Sequence, residues 1–119
     1  FSVRGKTHVK GELSRGENIA DLGGLTISFD AYRMAQEGRE NPPLEGFTPE
    51  QRFFMSFAKV WRGRIRDEAL LKRTQEDEHP WGEYRVNGAP FNMSEFYEIF
   101  DIKEKDALYR PQEKRPVIW

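Results

Sequence analysis

The feature that most constrains the fold of this chain is an apolar stripe that recurs at steps of three and four residues. Its members are Leu22, Leu25, Phe29 and Tyr32. This spacing matches one face of an α-helix and not the strict alternation of a half-buried strand. We therefore predict a long helix that begins after Ser14 and stops near Gly38.

Further helices follow along the chain. Thr48, Pro49 and Gln51 form a capping box with proline at the first helical position, which predicts a second helix there. Helical patterns recur over residues 66–75 and 95–100. Residues 76–93 contain repeated proline and glycine and read as a long irregular loop. With an extended lead-in or short hairpin over residues 1–13, the prediction is an all-α fold of three to four helices.

The amino-acid composition excludes several classes of function. The 119 residues suffice for one domain, and 19 basic against 20 acidic residues give a net charge of −1, which argues against nucleic acid as a partner. The absence of cysteine excludes disulfides, thiolate zinc sites and cysteine nucleophiles. No apolar run approaches the ~20 residues that a membrane-spanning helix needs.

Glu17 and Asp21 stand four residues apart in the segment GENIADLGG, so a helix places both carboxylates on one face. Like charges at this spacing destabilise an isolated helix by roughly 0.2–0.5 kcal/mol, and a cation would reverse the sign. A second interpretation is open, because Ser14 and Glu17 also have the S-x-x-E spacing of a capping box, and spacing alone favours it. A calcium site is a weaker alternative, since two carboxylates without a ligand-rich loop are too few.

The segment GENIADLGGL, residues 16–25, resembles the third-ligand motif of the neprilysin and endothelin-converting-enzyme family of zinc metallopeptidases. In that family the first Glu of the motif ligates zinc, and the Asp four residues later orients a zinc-bound histidine. The resemblance implies that Glu17 is the metal ligand and Asp21 its supporting carboxylate. Both roles suit zinc, which takes N and O ligands whose imidazoles usually donate to a carboxylate.

His79 and Arg85 lie in the segment HPWGEYRVNG. From the residues alone, a single loop histidine is more often a surface residue, and an arginine after tyrosine is more often a structural hydrogen-bond donor. The family has a loop histidine followed six residues later by the Arg of an RVNG or RVIG segment, and that spacing is kept. The resemblance implies that His79 stabilises the oxyanion, and that Arg85 binds a substrate carbonyl and helps to hold Asp21. Pro80 departs from the family, which often has a small residue between the histidine and the proline.

The resemblance covers most of the chain. FTPEQRFFMSFAKVWR is similar to the helix after the ligand helix, and NMSEFYEIFDIKEKDALYRP to the C-terminal helix and tail. The large aromatics are therefore expected in the core: Phe53, Phe54, Phe57, Trp61, Phe96, Tyr97 and Phe100. The resemblance implies that residues 1–119 are one C-terminal piece of a zincin-type, thermolysin-like catalytic domain. The lack of cysteine fits a bacterial member, which the family places in the periplasm, at the cell surface or outside the cell.

The HExxH motif of such peptidases does not occur, and the two histidines are His8 and His79. HExxH supplies two zinc ligands and the general base. We therefore expect zinc and peptide hydrolysis in the full-length enzyme, and no activity and little or no zinc binding in this piece alone. Expected partners are a peptide substrate and the missing N-terminal part of the domain, with self-association of the piece through exposed apolar surface. The alternative is a non-catalytic helical binding or regulatory module with a degenerate site.

Overall fold

A computed structural model describes residues 2–118 of the chain. The elements in chain order are β1 Ser2–Val3, β2 Thr7–His8, α1 Arg15–Gln36, α2 Pro49–Val60, α3 Asp67–Glu76, α4 Gly82–Gly88 and α5 Ser94–Ile99. Two short 3₁₀ turns cover Pro90–Asn92 and Gln112–Lys114. The all-α class is confirmed. No helix within residues 2–118 combines the length and apolar character needed to cross a bilayer.

The helix count is higher than predicted, with five α-helices in the described part instead of three to four. The segment 76–93, which the sequence indicates as irregular, contains α4 and a 3₁₀ turn. Gly82 and Gly88 lower the intrinsic helix propensity of α4, and it has no side-chain cap. Tertiary contacts stabilise it instead, because Tyr84 and Arg85 are both buried.

The N-terminal lead-in is a two-stranded antiparallel hairpin, which confirms the short hairpin. Ser2 pairs with His8 and Val3 with Thr7, and the turn uses positive φ angles at Arg4 and Gly5. Val3 is fully buried, so this hairpin is anchored to the body of the protein.

The start of α2 follows its sequence signal. The Thr48 hydroxyl accepts a hydrogen bond from the Gln51 N–H at 3.2 Å, and the Gln51 side chain accepts one from the Thr48 N–H at 2.9 Å. Pro49 occupies the first helical position. These local contacts fix the angle at which α2 leaves the preceding loop.

The start of α1 does not follow the capping-box interpretation, which is wrong. Ser14 precedes the helix but makes no side-chain capping bond. Its hydroxyl instead donates to the Lys10 carbonyl at 3.2 Å and accepts from the Asn18 side chain at the same distance. Glu17 is therefore not engaged as a helix cap and is free for contacts with other segments.

Two hydrophobic clusters position the helices. The larger cluster joins α1, α2 and the segment after α4, and its buried members are Leu22, Leu25, Phe29, Phe54, Ala89 and Met93. The expected core aromatics Phe53, Phe57, Phe96 and Phe100 pack against it. The smaller cluster joins Val3, Leu70 and Tyr84. Because both clusters flank α4, they place that short helix against the N-terminal half of α1.

Candidate active site

Two carboxylates of α1 form one side of the candidate site. Glu17 and Asp21 lie one turn apart on the helix, as their spacing predicts. Their environments differ, because the Asp21 side chain is 10 % exposed while that of Glu17 is 32 % exposed. Asp21 is therefore largely shielded from solvent, whereas Glu17 is partly exposed to it.

Arg85, on α4, binds both carboxylates. Its Nε donates to Asp21 Oδ2 and its Nη2 to Asp21 Oδ1, each at 2.6 Å. The same Nη2 lies 3.1 Å from Glu17 Oε2. The hydrogen bonds that Arg85 donates to Asp21 raise the pKa of Arg85 above its ordinary value, against the opposing effect of burial. A bidentate, charge-assisted pair of this kind fixes orientation as well as charge.

Trp61 lies on the other side of Arg85. The guanidinium carbon of Arg85 is 3.9 Å from the centroid of the indole ring, within cation–π range. The sequence indicates Trp61 only as a core aromatic. No local pattern pairs it with Arg85, which is 24 residues away and on a different helix.

His79 approaches the carboxylates from the loop between α3 and α4. Its Nε2 is 3.6 Å from Glu17 Oε1, and its side chain is about half exposed. Its Nδ1 is 3.0 Å from Asp77 Oδ1, which also accepts the His79 backbone N–H at 2.8 Å. With Nδ1–H donated to Asp77, Nε2 is left facing Glu17, and the doubly protonated ring can donate from both nitrogens.

Asp77 is a site residue that the sequence interpretation missed. The backbone hydrogen bond from His79, followed by the side-chain one, holds the pKa of Asp77 below its ordinary value of 3.8. Arg73, one turn earlier, adds a contact of 2.7 Å between its Nε and Asp77 Oδ2. The signal that could have revealed Asp77 is its spacing, because an Asp commonly accepts the backbone N–H two residues later in an Asx turn.

The donor set fits one part of a zinc site. A carboxylate is an ordinary zinc ligand, and Glu17 is accessible in a way that Asp21 is not. Among residues 2–118, no group of three or more His, Cys, Asp or Glu side chains is placed to hold a metal ion. A zinc ion at Glu17 would therefore need further ligands from beyond these described residues.

The four residues singled out in the sequence thus come together, although their segments are far apart in the chain. Together they form a cluster of charged groups, in which a partly exposed glutamate lies beside an internal Asp–Arg pair and a loop histidine. Comparison with known proteins identifies the family. The sequence model of peptidase family M13 matches residues 1–116, and the chain belongs to that family.

Similar proteins share this sequence over nearly its whole length. Neprilysin-3 of Drosophila melanogaster is 36 % identical over 118 residues, which are 96 % of this chain and 15 % of that protein. A neutral endopeptidase of Lactococcus lactis is 36 % identical over 109 residues, 92 % of this chain and 16 % of the relative. The chain therefore spans about a sixth of the length of the curated relatives it matches.

A solved structure shows the same architecture. The zinc metalloprotease Zmp1 of Mycobacterium tuberculosis, in its open state, superposes with a TM-score of 0.89 at 40 % identity, over 94 % of this chain and 17 % of the other. Zmp1 in complex with an inhibitor gives a TM-score of 0.85. The shared architecture covers 17 % of the Zmp1 chain, so in Zmp1 the matching unit is part of a longer protein.

Proposed function

We propose that residues 1–119 form the C-terminal part of the catalytic domain of a zinc metalloendopeptidase that hydrolyses peptides or oligopeptides. The observation that carries the proposal is the convergence of Glu17, Asp21, His79 and Arg85 on one open cluster. Structural packing alone does not require a bidentate ion pair with a half-exposed histidine and a glutamate beside it. The family to which the chain belongs supplies the reaction class.

Glu17 is the proposed metal ligand, since its carboxylate is the accessible one of the pair. Zinc held by Glu17 and by ligands from beyond residues 2–118 would supply a water of lowered pKa. Asp21 has both oxygens engaged by Arg85, yet each retains a second lone pair. Asp21 can therefore accept a further hydrogen bond from a ligating imidazole, which is the supporting role we assign to it.

Arg85 and His79 are the proposed substrate-binding donors. Arg85 keeps its charge throughout the physiological range, as arginine does in proteins, and Asp21 fixes the plane of the guanidinium. His79 is about half exposed and held by Asp77, so its Nε2 can approach an oxygen that gains charge in the transition state. A donor of this kind typically contributes ~3–4 kcal/mol to lowering the barrier.

The 119-residue piece by itself is proposed to be inactive and to bind zinc weakly or not at all. One accessible carboxylate is a poor site for a metal that prefers three protein ligands. Zinc-dependent peptide cleavage by the purified piece would overturn this part of the proposal.

The outer side of α1 carries exposed apolar side chains, which indicates that another segment covers it. Ile19, Ile27 and Met34 are 48 %, 57 % and 71 % exposed, although large apolar side chains are normally buried. We assign this surface to contact with the N-terminal part of the same catalytic domain. In the isolated piece the same surface favours self-association. Size-exclusion chromatography over a range of concentrations tests this, and a monomer at every concentration would contradict it.

The decisive experiment uses the longer protein that contains this sequence. Glu17→Gln is expected to remove stoichiometric zinc, measured by elemental analysis. It should also lower peptide hydrolysis by more than about 100-fold, because a direct metal ligand is lost. Glu12→Gln is the matched control, since Glu12 is exposed and makes the same change of charge five residues earlier. Full zinc and activity in Glu17→Gln would refute the metal-ligand assignment, whereas a longer wild-type protein with neither zinc nor hydrolysis would favour a helical binding module with a degenerate site.

We also propose an extracytoplasmic location in a bacterium, in the periplasm, at the cell surface or outside the cell. The support is family membership together with a bacterial relative at 40 % identity. Cell fractionation followed by detection with an antibody tests it, and recovery only with cytoplasmic markers would overturn it.

A further inference from the structure

The indole of Trp61 has a buried polar atom whose energetic penalty the rest of the fold does not explain. Its Nε1 is buried and has no hydrogen-bond partner among the described residues. A buried N–H without an acceptor is unfavourable, and such groups are uncommon in folded proteins. A phenylalanine in this position would fill much of the same space without that penalty. The ring must therefore provide something that a smaller aromatic provides less well.

The contact that depends most on the indole is the one with Arg85. The guanidinium carbon lies 3.9 Å from the ring centroid, and the Arg85 side chain is only 10 % exposed. Tryptophan gives the strongest cation–π interaction of the aromatic residues, and the interaction strengthens when the cation is removed from water. Arg85 is thus held between two carboxylates on one side and the face of an indole on the other.

The ring itself is fixed by its neighbours. Phe57, one turn earlier on α2, makes an edge contact with it at a centroid distance of 6.4 Å. A Cβ added at Gly82 would lie 2.2 Å from the Trp61 carbonyl oxygen, so the first residue of α4 sits directly on the Trp61 backbone. Because Arg85 follows three residues later on the same short helix, this contact sets the separation between the indole and the guanidinium.

We propose that Trp61 is a positioning residue for Arg85, acting through the face of its ring. It holds the guanidinium in the plane that pairs with Asp21, and so fixes the direction of the Nη2 donor beside Glu17. The inference rests on the proposed function for the use made of Arg85, but the contact between the ring and the cation can be tested without any activity.

The first experiment weakens the π face without changing its shape. In a Trp81→Phe and Trp119→Phe background, Trp61 becomes the single tryptophan and is replaced by mono- and tetrafluorotryptophan. Hydrogen exchange at Arg85 Nε is followed by ¹⁵N NMR, and the folding equilibrium constant by urea titration. We expect the exchange rate to rise with fluorine content, by about threefold to tenfold overall, with little change in the folding constant. An exchange rate that is independent of fluorination would overturn the proposal.

A second pair of variants separates positioning from packing. Trp61→Phe keeps an aromatic face and removes the unpartnered N–H, so Arg85 Nε exchange should rise less than in Trp61→Leu. Trp81→Phe in the wild-type background is the control, because the Trp81 ring lies against Gly63 and Arg73, whereas Trp81 meets Arg85 through its backbone carbonyl, which the substitution keeps. Equal exchange in Trp61→Phe, Trp61→Leu and wild type would refute a role for the ring.

Activity of the longer protein links the inference to the proposed function. Trp61→Phe is expected to lower kcat/KM by about threefold to tenfold while the zinc content stays at the wild-type level. If Arg85→Lys leaves peptide hydrolysis unchanged, the proposed function of Arg85 fails, whatever the NMR result. If Arg85→Lys impairs hydrolysis but Trp61→Phe changes neither exchange nor kcat/KM, the positioning role alone is wrong.

Discussion

The unequal burial of Glu17 and Asp21 predicts that two neighbouring carboxylates of α1 differ sharply in their contribution to stability. Asp21→Ala leaves the guanidinium of Arg85, only 10 % exposed, without its bidentate partner. Glu17→Ala removes the 3.1 Å contact with Arg85 and the 3.6 Å contact with His79 from a side chain that is about a third exposed. Asp21→Ala therefore leaves the Arg85 charge buried without its main partner, whereas Glu17→Ala leaves no buried charge unpaired.

The magnitudes follow from that difference. Breaking a buried ion pair by removing one partner costs about 3–5 kcal/mol, and the remaining contacts of Arg85 with Glu17 and Trp61 place Asp21→Ala near the lower limit, at ~3 kcal/mol. A partly exposed pair contributes about 0–1 kcal/mol, which bounds Glu17→Ala. With a urea m-value of ~2 kcal/mol/M, the midpoint of Asp21→Ala should fall by about 1.5 M.

Urea titration monitored by circular dichroism, with all variants at one protein concentration, measures this difference. The double variant Asp21→Ala with Arg85→Met serves as a further control, since it removes the stranded charge as well as the pair. It should be more stable than Asp21→Ala alone. The reasoning is refuted if Glu17→Ala costs as much as Asp21→Ala, or if the double variant is the less stable of the two.

Three further predictions concern other parts of the molecule. Gly82→Ala should destabilise the protein by about 2–3 kcal/mol, because the new Cβ meets the Trp61 carbonyl oxygen and backbone must move; a thermal midpoint equal to that of wild type would contradict this. Asp77 has a folded pKa below 3.8, so its contribution to stability is present above that pH and is lost as the pH falls through the folded pKa. Asp77→Asn should therefore flatten the acid limb of a plot of thermal midpoint against pH, and an unchanged limb would count against the Asp77–His79 contact. Thr48→Ala should cost ~1 kcal/mol in urea titration through loss of the α2 cap, while Thr48→Ser should cost little.

The elements that local signals specify are the ones that the sequence predicts well. Thr48, Pro49 and Gln51 determine the start of α2 through contacts within four residues, and the stripe of α1 repeats over several turns. The helix α4 lacks such a signal, because glycine lies at both of its ends and its stability depends on burial of Tyr84 and Arg85 by distant segments. Helix propensity, which depends on local sequence, does not predict burial by distant segments.

In the candidate site, too, local features are predicted from sequence and distant contacts are not. The spacing of Glu17 and Asp21 predicts a shared helix face, but nothing in that spacing indicates a partner 64 residues away in sequence. The capping-box interpretation of Ser14 failed for a local reason, since the hydroxyl donates to the Lys10 carbonyl before the helix begins. Family resemblance placed the four residues in order, whereas Asp77 and Trp61 became visible only through contacts in three dimensions.

The pairing of Asp21 with Arg85 also has a consequence for the order of events during synthesis. At ~5–20 residues per second, the 64 residues between them take about 3–13 s to translate. Until then, Glu17 and Asp21 are two like charges on consecutive turns with no cation between them, which opposes formation of the first turns of α1. The arrival of Arg85 reverses that sign. The N-terminal end of α1 is therefore expected to become stable only after α4 has left the ribosome.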